Sequence, residues 1–155
     1  VIVDDWTDED TPWCLSATYV PEEGTNGGKL VVRAQYEQFT GRGEAYFARE
    51  DLLAFAERIQ AFPLDEHEVV GCASGLFVGY EHVALEVTPR GGKGQLIVSV
   101  RLAKSRWRNG TPVIEHRLSC ELPTSYEYLG RFGRQLSSVV LGVSAEANLC
   151  PDVLV

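Results

Sequence analysis

The sequence has no C-x-x-C pair, no H-E-x-x-H and no histidine within four residues of another. Zinc sites need ligands at such spacings, so the common zinc motifs are excluded. It also lacks G-x-x-x-x-G-K-[ST] and G-x-S-x-G, which removes the phosphate loop and the nucleophile elbow. No apolar run approaches the ~18 residues of a membrane span. Val1–Asp5 lacks the basic stretch that opens a signal peptide. The four cysteines, Cys14, Cys72, Cys120 and Cys150, are scattered. An even count leaves room for two disulfides, but a chain of 155 residues does not depend on them, and the expectation is a reducing, cytoplasmic setting. Cys120 falls in a strand pattern and reads as a small hydrophobe.

Basic residues are also scarce. Lysine and arginine number 14 against 22 acids, a formal net charge of -8. Proteins that bind a duplex must neutralise phosphates, so this balance excludes nucleic acid as the expected partner. It equally disfavours an anionic membrane surface. A cationic protein partner fits it through steering, and so does plain solubility.

What is present suits one globular domain. Hydrophobic residues make up 45% and charged residues 23%. A chain of this length buries roughly 68–70% of its unfolded surface, so a core forms without staples. Residues 1–12 read as an acidic tail, with Asp4, Asp5, Asp8, Glu9 and Asp10 and no base. Residues 13–142 read as the folded body and 143–155 as an irregular C-terminal tail.

Within the body, Trp13 to Val20 is a strand candidate, followed by a turn segment to Gly28. Leu30, Val32, Ala34 and Tyr36 alternate with mostly polar residues, a strand with one buried face. Gly41 and Gly43 suggest a turn before a short strand from Glu44 to Ala48. Leu52, Phe55, Ala56 and Ile59 mark one face of a helix from Arg49 to Ala61, stopped by Pro63. A strand is expected around Leu76 to Tyr80, then Glu81 to Thr88. Gln95 to Ala103 follows across a turn, as an antiparallel hairpin. Lys104 to Pro112 reads as a polar loop and Val113 to Leu122 as the last strand. Thr124 and Glu127 have capping-box spacing before a helix whose stripe is Leu129, Phe132, Leu136 and Val139. Glu127 and Arg131 are an i, i+4 pair, and Gly142 sits where a C-terminal cap belongs. Gly130 and Gly133 each cost about 1 kcal/mol against alanine, which makes sense if that helix lies close to a sheet. The order predicts an α+β fold: an antiparallel β-sheet of about six to seven strands with two α-helices packed on it.

Candidate chemistry is sparse. His67, with Glu66 and Glu68, offers a poor metal set, and no metal or cofactor is expected. His116 reads as an edge or satisfied strand histidine. Gly71 to Gly75 places Ser74 wrongly for a nucleophile turn. Gly91-Gly92-Lys93-Gly94 precedes a strand, so it reads as a hairpin turn. Catalysis would need a pairing such as Cys72–His82 or Cys120–His116. No catalytic residue is assigned, and the chain is expected not to be an enzyme. Arg106, Trp107 and Arg108 form the one basic–aromatic cluster. They are the candidate partner-binding residues, set against a tryptophan that folds back on the body.

Some stretches resemble a known family. Lys29-Leu30-Val31-Val32-Arg33-Ala34, Gly43-Glu44-Ala45-Tyr46-Phe47, the helix from Leu52 to Phe62, and Leu122-Pro123-Thr124-Ser125-Tyr126 with its helix carry the resemblance. Over about Trp13 to Val140 the chain resembles the WapI-type bacterial immunity proteins and related small bacterial domains, in element order and apolar pattern. The resemblance implies a cytoplasmic protein that binds and blocks a cognate toxin, which the acidic surplus would suit if the toxin is cationic. It transfers no catalytic residue, and neither the acidic start nor the Arg106 to Pro112 segment is matched. Two other classes stay open: a self-associating or small-ligand-binding module, which includes a homo-oligomer, and an unrecognised hydrolase.

Overall fold

A computed structural model describes residues 13–150 apart from 62, 65, 66, 78, 92 and 93. The acidic segment 1–12 and the last five residues of the expected C-terminal tail lie outside the described residues. The elements in chain order are β1 (Trp13–Pro21), β2 (Gly27–Tyr36), β3 (Phe39–Ala48), α1 (Arg49–Arg58), β4 (Val70–Ser74), β5 (Val83–Pro89), β6 (Gln95–Arg108), β7 (Thr111–Ser125), α2 (Tyr126–Val140) and β8 (Ala147–Leu149).

Alternating apolar residues drive the strands. Trp13, Leu15, Ala17 and Tyr19 are buried along β1, Leu30, Val32 and Ala34 along β2, and Leu96, Val98, Val100 and Leu102 along β6. Pairing is antiparallel throughout, and the fold is α+β with two helices. The strands divide between two four-stranded sheets, β3-β2-β1-β8 and β4-β5-β6-β7. One buried cluster joins both sheets and both helices.

The two sheets meet where β3 lies on β5, β6 and β7, and this corrects the turn expected at Gly41 and Gly43. Both glycines are inside β3, paired with Ala34 and Val32. A Cβ at Gly41 would stand 2.9 Å from Leu118 Cδ1, and one at Gly43 would stand 2.8 Å from the His82 carbonyl oxygen. The missing side chains let the strand approach, which is the common meaning of glycine inside a strand.

Other expectations shift for local reasons. The strand expected at Leu76 to Tyr80 lies earlier, at β4, and residues 75–77 and 79–82 instead belong to a return with a Tyr80 N–H to Phe77 carbonyl bond. The loop expected at Lys104 to Pro112 is mostly strand: β6 and β7 continue to Arg108 and Thr111, and only Asn109-Gly110 turns. Both turn residues have positive φ, 51° and 77°, the geometry of a tight hairpin. The cap of α2 is Ser125, whose Oγ accepts from the Tyr128 N–H at 3.4 Å, one residue beyond the expected Thr124. The Glu127–Arg131 pair forms at 3.7 Å. Such an exposed pair is worth about 0.2–0.5 kcal/mol, against roughly 1.5–3 kcal/mol for burying a side chain like Phe132. The apolar stripe therefore holds α2 in place.

Two features beyond the expected boundaries tie the ends of the fold. Residues 147–149, expected to be irregular, form β8 against β1, with Leu15 opposite Leu149. Cys14 and Cys150 are joined by a disulfide, and Cys72 and Cys120 are free. This bond departs from the reducing setting expected from scattered cysteines. Spacing could not show it, because the pair is brought together by β8 pairing.

The close neighbour of α2 is a helix as well as the sheet expected from its glycines. A Cβ at Gly133 would lie 2.7 Å from the Ala56 carbonyl oxygen on α1, whereas at Gly130 the nearest atom is the mobile tip of Arg134 at 3.5 Å. Gly130→Ala should therefore raise the unfolding free energy by about 1 kcal/mol through helix propensity. Gly133→Ala should lower it, because overpacking costs about 1–3 kcal/mol. Urea melts of the two variants check this, and equal shifts would refute the helix contact. Reducing the disulfide should lower stability by about 2–4 kcal/mol. Thiol titration of the unfolded, unreduced chain should count two thiols, Cys72 and Cys120, and a count of four would refute the bond.

Candidate functional site

The segment between β4 and β5 is short of apolar periodicity but rich in rings. Phe77, Tyr80 and His82 fold over the turn end of the β6–β7 hairpin. Phe77 is the hub. Its ring meets Trp107 edge-on at 5.3 Å, His82 at 6.0 Å and Tyr80 at 6.2 Å. These are the offset and edge-to-face distances at which aromatic pairs attract. Tyr80 donates its hydroxyl to the Pro112 carbonyl at 3.3 Å, which ties the segment to β7.

His82 is the second tie, and it is fully buried at 1% exposure. The Leu76 N–H donates to Nδ1 at 3.1 Å. A backbone amide can only donate, so Nδ1 carries no proton in the neutral ring. The proton then sits on Nε2, which donates to Ser105 Oγ at 3.0 Å. A serine nucleophile needs the reverse arrangement, with Nε2 accepting the hydroxyl proton. The pair therefore clamps β6 to the 75–82 segment, and it is wired against general-base work. Burial also lowers the His82 pKa below its ordinary 6.5, which keeps the ring neutral.

The thiols are equally poorly placed for chemistry. Burial pushes the Cys72 thiol up to about 12, and burial also raises Cys120, so neither supplies thiolate at neutral pH. His82 bonds to a serine and an amide rather than to Cys72. His116 is exposed on β7, paired across the ladder with Lys104. Among the described residues no group of three or more potential ligands is placed to hold a metal. Glu68 of the weighed metal set instead pairs with Arg58, and Glu66 lies outside the described residues.

The basic–aromatic cluster sits on the outer end of β6. Arg106, Trp107 and Arg108 are all exposed, and Trp107 is 63% exposed although Phe77 supports its ring. The tryptophan is thus held at one edge and open over the rest. Beyond Phe77 and Tyr80 runs a shallow groove of about 580 Å3, also lined by Tyr46, itself 46% exposed. The 103–108 stretch of β6 reaches past its last partner on β5, Val83, so this end is a two-stranded arm. Sequence patterning placed the three residues on a loop and did not find Phe77, Tyr80 or the His82–Ser105 bond. Nothing in residues 76–82 marks a partner more than twenty positions ahead.

Comparison with protein-family models, with curated proteins and with solved structures finds no match.

The neutral clamp makes stability depend on pH with a definite sign. The unfolded chain takes a proton at His82 near its ordinary value, while the folded chain resists it. The contribution is complete above about pH 6.5 and is lost as pH falls below it. Protonation would also set Nδ1–H against the Leu76 N–H. Unfolding free energies between about pH 7.5 and about pH 5 should fall more steeply for the natural chain than for His82→Gln. Parallel slopes would remove His82 as the titrating group.

Proposed function

We propose that this chain is a non-catalytic binding domain that engages a protein partner with the end of the β6–β7 arm, Trp107 on one face of the strand and Arg106 and Arg108 on the other. The carrying observation is an indole that is 63% exposed yet seated edge-on against Phe77. A large aromatic left in water gains when a partner covers it. The His82–Ser105 and Tyr80–Pro112 bonds brace its platform, so less ordering entropy is lost on binding. Tryptophan and arginine are the residues that most often dominate protein interfaces. The wiring of His82 and the raised thiol pKa values support the non-catalytic half of the reading over the hydrolase alternative.

The toxin-neutralising role implied by the WapI-type resemblance is one form of this proposal. In that form the partner is a toxin, and co-expression protects the cell that makes both. Charge alone does not select a cationic toxin for this face. Residues 1–12 hold five of the 22 acids and no base, and residues 13–150, with 16 acids and 14 bases, are within two charges of neutral. The Cys14–Cys150 bond supports an oxidising compartment in preference to the cytoplasm. No helix among the described residues is long and apolar enough to cross a membrane.

The test is affinity capture from the source cells with the natural chain and with Trp107→Ala. Truncating a hot-spot tryptophan costs about 2 kcal/mol or more, roughly a thirtyfold loss of affinity. A captured protein should therefore disappear or weaken with the variant, while thermal melts stay within about 0.5 kcal/mol of the natural chain. A partner retained equally by both chains would overturn the assignment of Trp107.

A further inference from the structure

Beside the His82–Ser105 clamp, where β3 lies on sheet β4-β5-β6-β7, runs a half-open groove of about 710 Å3. The half-buried Leu118 and Phe39, 71% exposed, are its accessible apolar residues, while Leu102 is buried beneath β3 at its back. Lys104, His116 and Arg117 also line it, all exposed, and none of the three has an ion pair among the described residues. Its one acid, Glu44, is already matched by Arg42 and by Lys29 at 3.5 Å. A smaller recess of about 470 Å3 adjoins it through Thr40, Gly41 and Arg42 and adds one charge of each sign, Arg33 and Glu146, so the unmatched positive charge is that of Lys104 and Arg117. The groove is therefore cationic in a chain whose net charge is -8.

β3 and β7, which both supply lining residues, are each the terminal strand of their sheet. Terminal strands leave backbone donors and acceptors open along one edge, the groups that an extended peptide uses to add itself to a sheet.

From this we infer that the groove binds an acidic segment of the protein partner in extended conformation, its carboxylates on Lys104 and Arg117 and its apolar side chains on the half-buried Leu118 and the exposed Phe39. The inference rests on the binding reading above and adds a second contact to the one made by Trp107. Charge complementarity selects the acidic segment. A single aromatic, Phe39, beside Leu118 favours peptide over nucleic acid, which needs a series of aromatic platforms to stack its bases. Exposed charges of this kind act through encounter rate and salt dependence.

A dye-labelled peptide of about twelve residues, alternating glutamate and leucine, is titrated into the full chain and followed by anisotropy. Saturable binding is expected, weakened about tenfold by K104E/R117E and by raising salt from about 0.05 M to about 0.5 M. Both substituted side chains are exposed, and Arg117→Gln, a milder change, should give an intermediate loss. Trp107→Ala should leave peptide affinity unchanged, so the two contacts fail separately. No saturable binding, or binding untouched by K104E/R117E, overturns the inference. A single-stranded oligonucleotide bound more tightly than the peptide also overturns it. Binding that appears only after Asp4, Asp5, Asp8, Glu9 and Asp10 are changed to their amides would make the chain's own first twelve residues the occupant, and would overturn the assignment to a partner.

Discussion

The contact on which the rest of the structure depends is the approach of β3 to the second sheet at Gly41 and Gly43. With any side chain at 43, the His82 carbonyl would stand 2.8 Å from the new Cβ, closer than packed interiors allow. Because the glycines admit that approach, β3 can belong to one sheet and pack on the other. The same approach places Leu102 and Leu118 behind the strand and leaves the groove beside it. It also brings Tyr46 to the end of β4, where the Tyr46 N–H donates to the Gly75 carbonyl at 3.1 Å.

From that junction the 75–82 segment is held on three sides. Gly75 bonds to β3, His82 bonds to Ser105 on β6, and Tyr80 bonds to Pro112 on β7. Phe77 is left in the middle with Trp107 as its outer neighbour. A buried, neutral histidine that both accepts from an amide and donates to a hydroxyl satisfies its polar atoms completely. The arrangement explains how a histidine can be 1% exposed without a charged partner. It also explains why an exposed tryptophan on a two-stranded arm has a firm base.

Charge is divided along the chain in a way that the total conceals. The surplus of acid is concentrated in residues 1–12, and the body is close to neutral. Within the body, the β3–β7 groove collects lysine, histidine and arginine, while Glu81 and Glu86 share Arg101 at 3.3 and 3.2 Å on another face. Net charge speaks to solubility and encounter, whereas the local pattern decides what a particular surface can meet.

Residue order by itself determined the strands and helices that bury one face. Leu30, Val32 and Ala34 announce β2, Leu96 to Leu102 announce the inner part of β6, and Leu129, Phe132, Leu136 and Val139 announce α2, because a periodic apolar stripe records a buried side whatever lies opposite. The antiparallel α+β class follows from their order and short connections. Only tertiary structure decided the rest. The outer stretch from Lys104 to Pro112 carries Trp107 among charged, small and turn residues, so no apolar stripe reports it. β8 is three residues long and exists through its pairing with β1. Gly41 and Gly43 look like turn residues until the sheet that crosses them is known. The two sheets, the Cys14–Cys150 bond, the His82–Ser105 clamp and the cationic groove all join positions far apart in sequence. No local pattern encodes the distance between such positions, and packing alone sets it.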